Sequence, residues 1–186
     1  MRLFVALSPP PEAVDELWSA VEAVGTDRPG LRWTRPEQWH LTLAFLGEVD
    51  DPARQDLVER LGRAARRHPP LTLALSGAGR FGDRVLWTRV SGDVEPVRRL
   101  AASVRAAARR ARLPVDDRPY RPHLTLARAG GEVDLRSLVD ALAGFAGRPW
   151  TAGELHLVRS HLGAGPGGSA RHEPLVSWAL DGRERG

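Results

Sequence analysis

Two copies of the pentapeptide His-Leu-Thr-Leu-Ala carry the residues best suited to chemistry in this chain of 186 residues. The first copy begins at His40 and the second at His123, and the chain has six histidines in all. Both copies read as β-strands, in which alternate side chains face opposite sides. Each strand is therefore expected to present an imidazole, a hydroxyl and a small alanine on one face, with its leucines on the other.

The histidines, and not the leucine-rich context, set these two copies apart. A third Leu-Thr-Leu-Ala stretch at 71–74 follows Pro70 and has no histidine, so the tetrapeptide alone is an ordinary strand sequence. We therefore interpret His40 and His123 as a functional pair, with Thr42 and Thr125 as the neighbouring hydroxyls.

Two imidazoles and two hydroxyls facing one cavity indicate acid–base chemistry on an anion. With an unperturbed pKa of about 6.5, one histidine can act as a base and the other as an acid near neutral pH. In-line displacement at phosphorus fits this set: one imidazole deprotonates water, the other protonates the departing alkoxide, and the hydroxyls bind the non-bridging oxygens. A strained cyclic phosphodiester is a suitable substrate, because its leaving group stays tethered and its single charge does not require a metal.

Other kinds of active site have little support in the sequence. The absence of cysteine excludes thiolate metal sites, disulfides and a cysteine nucleophile. There is no His-Glu-x-x-His motif, the carboxylates Glu48 and Asp117 near the motifs make no recognisable ligand set, and no phosphate-binding glycine motif occurs. We therefore predict no metal site and no cofactor.

The charge pattern gives a moderate indication of a nucleic-acid partner. The formal net charge is +4, and every basic residue is an arginine, a bias that a GC-rich genome would explain. Arg118 and Arg121, just before the second motif, could contact an RNA backbone, with solvated surface as the competing interpretation. Trp33 and Trp39 could stack on bases, with core or rim packing as the alternative.

The chain length predicts one domain over residues 1–186, and no segment is long or polar enough to be a linker between two domains. The apolar run at 3–7 is too short for a signal sequence or a membrane span. We expect a cytoplasmic monomer that does not associate with membranes.

The order of strands and helices indicates a duplicated α+β architecture, with parallel βαβ packing as a competing topology. Hydrophobic periodicity and turn residues carry this interpretation. The predicted helices are 12–24, 50–67, 95–113 and 134–145; the predicted strands are 2–7, 31–49 with an interruption near Pro36, 70–81, 84–90, 123–128, 150–162 and 172–180.

The paired HLTL motifs at 40–43 and 123–126 resemble those of the two-histidine (2H) phosphoesterases. The longer strings HLTLAFLGEV and RPHLTLAR, the opening RLFVAL and the closing ELHLVRSHL and RHEPLVSWAL look like the bacterial and archaeal RNA 2′,3′-cyclic phosphodiesterases, also called 2′-5′ RNA ligases. The resemblance implies a bilobal duplicated 2H phosphoesterase fold of class α+β. In it, two antiparallel sheets flanked by helices surround a central cleft, with one motif in each pseudo-symmetric lobe.

The resemblance also implies a reaction and roles. His40 would be the proton donor and His123 the proton acceptor, while Thr42 and Thr125 hold the phosphate. The reaction is hydrolysis of a terminal 2′,3′-cyclic phosphate to a 2′-phosphate, with O3′ leaving. The substrates would be RNA ends or small cyclic nucleotides.

Phe45 and Arg128 fall where the family pattern has a residue near the base and a phosphate-proximal arginine. Alternation places Phe45 on the leucine face unless a bulge turns it, so core packing competes with base stacking. Alternation likewise places Arg128 on the face of the strand opposite to His123, although an arginine side chain at the end of a strand could reach a phosphate.

One position departs from the family pattern. His172 stands in RHEPL, where the family often has tyrosine, which puts substrate handling but not the chemistry in question. His68, His156 and His161 are interpreted as surface or packing residues.

Two other functions remain open at this stage. A 2′-5′ RNA ligase would use the same residues, with an RNA 5′-hydroxyl in place of water. A module that binds RNA ends or nucleotides without turnover is the non-catalytic alternative, and the presence of two His-x-Thr pairs disfavours it.

Overall fold

The computed structural model describes residues 1–183, which form four α-helices and nine β-strands. Two short 3-10 turns, at Pro36–Gln38 and Pro166–Gly168, complete the regular structure. The elements follow the order β1 (Arg2–Leu7), α1 (Pro11–Val24), β2 (Leu31–Trp33), β3 (Leu41–Glu48), α2 (Asp51–Arg66), β4 (Leu71–Phe81), β5 (Val85–Gly92), α3 (Val94–Arg110), β6 (His123–Ala129), α4 (Leu135–Leu142), β7 (Trp150–Ala152), β8 (Glu154–His161) and β9 (Arg171–Ala179).

The strands form two antiparallel sheets. The first sheet has the order β3-β1-β8-β9, and the second has the order β2-β6-β5-β4-β7. All strand pairs within residues 1–183 are antiparallel. The predicted α+β class with two antiparallel sheets is confirmed, and the parallel βαβ alternative is wrong.

Two segments predicted as single strands change sheets midway. The segment 31–49 divides into β2 in the second sheet and β3 at the edge of the first, separated by the 3-10 turn that begins at Pro36. Proline lacks the N–H that a continuing strand would donate, which favours a break there. The segment 150–162 divides at Gly153 into β7 and β8 in the same way. These two crossovers connect the second sheet to the first.

The helices begin and end largely where the sequence predicts. At the start of α2 the Asp50 side chain accepts a hydrogen bond of 2.9 Å from the backbone N–H of Ala53, and a proline stands in the first turn. Helix α3 ends at Arg110, and Arg112 then adopts a positive φ of 61° that reverses the chain. The loop that follows leads directly into β6. Within residues 1–183, none of the helices is both long and apolar enough to cross a bilayer.

The core fixes the orientation of the two motif strands. Leu41 and Leu43 of β3 and Leu124 and Leu126 of β6 are buried in one large apolar cluster with residues of both sheets and the helices. Burying one such side chain contributes about 2 kcal/mol. The opposite face of the first sheet carries only a small buried cluster, which leaves it available to form the wall of a cleft.

We predict that Gly79→Ala destabilises the protein, because β4 and β5 approach closely at this position. A Cβ added at Gly79 would lie 2.3 Å from two carbons of the Trp87 ring, which itself packs against His123 at 6.0 Å between ring centroids. Overpacking of this kind should lower the free energy of unfolding by about 1–3 kcal/mol, measured by urea denaturation.

The matched control for this substitution is Gly144→Ala. A Cβ at Gly144 would have no heavy atom within 4 Å, so its effect should stay within about 0.5 kcal/mol. Equal stability of the two variants would contradict the close packing of the hairpin.

Candidate active site

A cavity of about 650 Å³ is lined by both motif strands, one from each sheet. It contains every side chain that the sequence analysis assigned to the site. These are His40, Thr42, Phe45, His123, Thr125 and Arg128. The two copies of the motif, 83 residues apart in the chain, therefore meet at one place.

A β-bulge in the first copy turns Phe45 into the cavity. Against β1, the register of β3 shifts by one residue between Thr42 and Ala44, so Leu43 is the extra residue. A bulge reverses the alternation beyond it. Ala44 is consequently buried at 5% exposure, and Phe45 is 66% exposed. The expectation that Ala44 shares the face of Thr42 is wrong, and so is core packing for Phe45.

The second copy contains the same bulge at the same place. The register of β6 against β5 shifts at Leu126. The burial pattern of residues 123–128 is identical to that of residues 40–45: half-buried, buried, half-buried, buried, buried, exposed. Arg128 therefore occupies the position equivalent to Phe45. The bulge brings it to the cavity, and the alanine before it is buried, contrary to simple alternation.

Both imidazoles are held by the same hydrogen bond. Nδ1 of His40 lies 3.0 Å from the carbonyl oxygen of Gln38, and Nδ1 of His123 lies 2.7 Å from that of Arg121. Because a carbonyl oxygen only accepts, Nδ1 carries the proton in each ring. The backbone two residues before each histidine thus fixes one tautomer, which leaves Nε2 free to accept a proton.

Burial lowers the pKa of both motif histidines. Desolvation is the largest cause in each case, and the hydrogen bond to the backbone opposes it. The proximity of His156 lowers the pKa of His40 further, and the Arg128 guanidinium does the same for His123. Both imidazoles are therefore mostly neutral at pH 7 before an anion binds.

An edge-on phenyl ring packs against each of these imidazoles. The centroids of Phe4 and His40 lie 5.7 Å apart with an angle of 75° between the planes, and those of Phe81 and His123 lie 4.9 Å apart with an angle of 86°. Such contacts are favourable and restrict how far a ring can turn. Hydrogen bond and aromatic contact together orient each Nε2 atom.

His172, which replaces the tyrosine frequent in the family, lies against the first imidazole. Its ring centroid is 5.4 Å from that of His40 and 5.0 Å from that of Phe4. Desolvation, with a smaller contribution from His40, lowers the pKa of His172 to about 4. His172 is therefore neutral at pH 7, and the departure from the family pattern changes the surroundings of His40.

The other three histidines form hydrogen bonds with neighbouring side chains and do not line the cavity. His68 lies 2.8 Å from the Ser103 hydroxyl, and His161 lies 2.7 Å from a carboxylate oxygen of Glu173. These positions agree with the packing interpretation. His156 is the exception, since it is close enough to His40 to affect its pKa, which the sequence did not reveal.

Tyr120 connects the two motifs, and the sequence analysis missed it. Its hydroxyl donates a hydrogen bond of 2.8 Å to the carbonyl oxygen of Thr42. The Arg105 guanidinium lies 5.4 Å from the centre of the Tyr120 ring. It also donates a hydrogen bond of 2.7 Å to the backbone carbonyl oxygen of Arg118. Burial raises the pKa of Tyr120 far above its ordinary range, so the hydroxyl remains a donor. Nothing in the sequence marks a contact between residues 78 positions apart.

The arginines before the second motif differ in their partners. Arg118 is paired with Asp116, with Nε 2.9 Å from Oδ2, and hydrogen bonding to Arg118 lowers the pKa of Asp116 to about 2. An RNA phosphate would have to compete with this carboxylate. Arg121 forms no ion pair within residues 1–183.

The two tryptophans beside the first motif pack in or against the core. Trp39 is buried, and its Nε1 donates a hydrogen bond of 2.9 Å to the hydroxyl of Thr34. Trp33 packs against the core cluster. Core packing is therefore the correct interpretation for Trp39, and Trp33 is half-buried against the core; neither residue lines the cavity. Across the described part of the chain, no group of three or more histidine or carboxylate side chains is arranged to hold a metal ion.

Comparison with known families and proteins agrees with this geometry. Residues 9–164 match the family model of the 2′-5′ RNA ligase superfamily, and the chain belongs to that superfamily. The RNA 2′,3′-cyclic phosphodiesterase of Escherichia coli (strain K12) is 32% identical over 183 residues, which cover 96% of each chain. The resemblance noted from the motifs is confirmed.

Two further matches define the extent of the similarity. The RNA 2′,3′-cyclic phosphodiesterase of Geobacillus stearothermophilus is 31% identical over 164 residues, or 83% of this chain, and this chain spans about half, 49%, of that relative. The crystal structure of E. coli LigT complexed with 3′-AMP is similar with a TM-score of 0.79 and 30% identity, covering 96% of this chain and 97% of LigT. The 2H phosphoesterase fold implied by the sequence is confirmed.

We predict that Tyr120→Phe lowers the free energy of unfolding by about 1 kcal/mol, because it removes the hydrogen bond to Thr42 and keeps the ring. Urea denaturation measures the effect. Unchanged stability of Tyr120→Phe would show that the link to the first motif contributes nothing.

Proposed function

We propose that this protein hydrolyses RNA 2′,3′-cyclic phosphate ends to 2′-phosphomonoesters, without a metal, by acid–base catalysis between His40 and His123. The observation that carries the proposal is the matched pair of imidazoles in one cavity, each with its Nδ1 proton held by a backbone carbonyl. The name of the E. coli and Geobacillus relatives, RNA 2′,3′-cyclic phosphodiesterase, supports the same reaction.

The proposed reaction is one in-line displacement. Neutral His123 accepts a proton from water through Nε2 as the water oxygen forms a bond to phosphorus. The bond from phosphorus to O3′ breaks on the opposite side, and O3′ takes the proton from Nε2 of protonated His40. Thr42 and Thr125 donate to the non-bridging oxygens. The step leaves His40 neutral and His123 protonated, and exchange with solvent restores the starting state.

The neighbours of the two imidazoles support this assignment of acid and base. Arg128 carries a permanent positive charge beside His123, which favours the neutral form that a base requires. His40 has the neutral rings of His172 and Phe4 around it and no permanent cation among the causes that lower its pKa. No permanent cation therefore opposes the protonation of His40 in the way that Arg128 opposes that of His123.

The two bulge positions would contribute different contacts. Arg128 offers a guanidinium fork to the phosphate of the substrate. Phe45 offers an exposed ring at the opposite motif, where the terminal base could stack. One phosphate contact and one base contact would orient the cyclic phosphate between the imidazoles.

Ligation would use the same site, with the 5′-hydroxyl of another RNA end taking the place of water. Water at its high concentration favours hydrolysis, so we propose hydrolysis as the main reaction of a cytoplasmic monomer. The product assay below separates the two outcomes.

In the central experiment, the purified protein is incubated in EDTA with a short RNA that ends in a 2′,3′-cyclic phosphate. The 2′-phosphate, 3′-phosphate and joined products are then separated. We expect the 2′-phosphate, and a loss of rate of about 10²-fold or more in both His40→Ala and His123→Ala, because each removes one proton transfer. The matched control is His161→Ala, which removes an imidazole bonded to Glu173 and should keep the wild-type rate.

Three results would contradict the proposal. They are a 3′-phosphate product, activity restored only by added metal, and folded histidine variants that retain the wild-type rate.

The dependence of rate on pH provides a separate prediction. Because burial lowers the pKa of both imidazoles from 6.5, the bell-shaped profile of kcat/KM should have its maximum on the acid side of pH 6.5. The acid limb follows protonation of the base, and the alkaline limb follows loss of the proton from the acid. A bound phosphate anion favours imidazolium, so the maximum of kcat should lie at higher pH than that of kcat/KM. A flat profile from pH 5 to 9 would rule out the histidine pair.

A further inference from the structure

Arg32 lies directly opposite Arg128 where β2 pairs with β6. Side chains of directly paired residues in an antiparallel ladder project from the same face of the sheet. Since Arg128 lines the cavity, Arg32 projects on the cavity side as well. Both residues are exposed, and β2 is the edge strand of its sheet, so Arg32 lies next to Arg128 at the sheet edge, just beyond the residues that line the cavity.

Two guanidinium groups opposite each other are an unfavourable pair in the absence of an anion. The Cβ atoms of such a pair are about 5 Å apart, and like charges at that spacing destabilise a sheet. Within residues 1–183, neither Arg32 nor Arg128 forms an ion pair with a carboxylate. Arg118, by contrast, has Asp116. The pair is therefore suited to an anionic ligand with more than one negative group.

We propose that Arg32 binds the phosphodiester on the 5′ side of the terminal nucleotide, while Arg128 contacts the terminal cyclic phosphate. This inference rests on the proposed function. A 2′,3′-cyclic phosphate closes the 3′ end of an RNA, so the chain continues only through the 5′ oxygen of that nucleotide. The next negative group along the substrate is that phosphodiester, and a second guanidinium next to Arg128 is in place to receive it.

The proposed subsite predicts that the length of the RNA affects the rate and that its base sequence does not. Guanidinium groups bind phosphate through forked, charge-assisted hydrogen bonds that do not read the base. A mononucleotide 2′,3′-cyclic phosphate has no second phosphate and gains nothing from Arg32. A dinucleotide gains the full contact, so RNA ends should be better substrates than free cyclic nucleotides.

The test compares kcat/KM for three substrates: adenosine 2′,3′-cyclic phosphate, the dinucleotide ApA with a 2′,3′-cyclic phosphate end, and the same dinucleotide with an uncharged methylphosphonate linkage. Arg32→Gln should lower the value for the charged dinucleotide about tenfold, mainly through KM, and leave the other two within about twofold. Arg32→Lys should retain part of the preference, because it keeps the charge without the fork.

The matched control is Arg136→Gln. Arg136 is exposed on α4, which contacts β4, β5 and α1, and it is outside the cavity wall. This variant removes the same unit of charge and should keep wild-type values on all three substrates. The unchanged rate of Arg32→Gln on the mononucleotide also reports that the variant is folded.

Several outcomes would overturn the subsite while leaving the proposed hydrolysis intact. One is an unchanged rate of Arg32→Gln on the charged dinucleotide. Another is an equal loss on all three substrates, which would place Arg32 at the reacting phosphate or in the fold. An equal loss on the charged and uncharged dinucleotides would exclude recognition of the phosphodiester. If wild-type protein hydrolyses none of the three substrates, the proposed function fails and the subsite fails with it.

Discussion

The site depends on the burial of two leucines in each motif strand. Side chains in a strand alternate with a period of two, so a slip of one residue would move every motif side chain to the opposite face. Burial of the leucines of β3 and β6 in the core makes that slip unfavourable in both strands. The same constraint directs His40 and Thr42, and their counterparts in β6, toward one cavity. The chemistry is therefore positioned by apolar packing on the reverse side of the strands.

The bulge after each threonine adds one more residue to the cavity without disturbing this arrangement. Because the two halves carry the bulge at the same point, the exposed position beyond it is equivalent in both. One copy has Phe45 at this position and the other has Arg128. The pseudo-symmetric backbone thus supports a functional asymmetry, with an apolar surface on one side and a cation on the other.

Burial, opposed only by a backbone hydrogen bond, keeps both imidazoles neutral. Both Nδ1 protons are held by backbone carbonyls, and no carboxylate within residues 1–183 is bonded to either ring. A carboxylate partner would stabilise imidazolium strongly, whereas a carbonyl fixes the tautomer with a smaller effect on the pKa. Desolvation then dominates and keeps both rings mostly neutral. In the proposed reaction, the negative charge of the substrate would favour protonation of one imidazole, so the acid would form when a phosphate is bound.

Much of the site could be predicted from the sequence, because the pairing of imidazole and hydroxyl follows from alternation alone. The bulges could not, since a bulge exists only relative to the neighbouring strand, and alternation therefore misplaced Ala44 and Phe45. The sheet changes within 31–49 and 150–162 were missed for a related reason: local propensity does not specify which sheet a strand joins. The bond from Tyr120 to Thr42 depends on the final packing of the two halves, and no local pattern encodes it.

The central claim is that the two imidazoles act on one phosphorus atom from opposite sides. The most direct test is hydrolysis of a single diastereomer of a 2′,3′-cyclic phosphorothioate in ¹⁸O-labelled water, followed by analysis of the configuration at phosphorus in the product. A single in-line displacement predicts inversion. Retention would require either two successive displacements through a covalent intermediate or an adjacent attack followed by pseudorotation, and either would contradict the account.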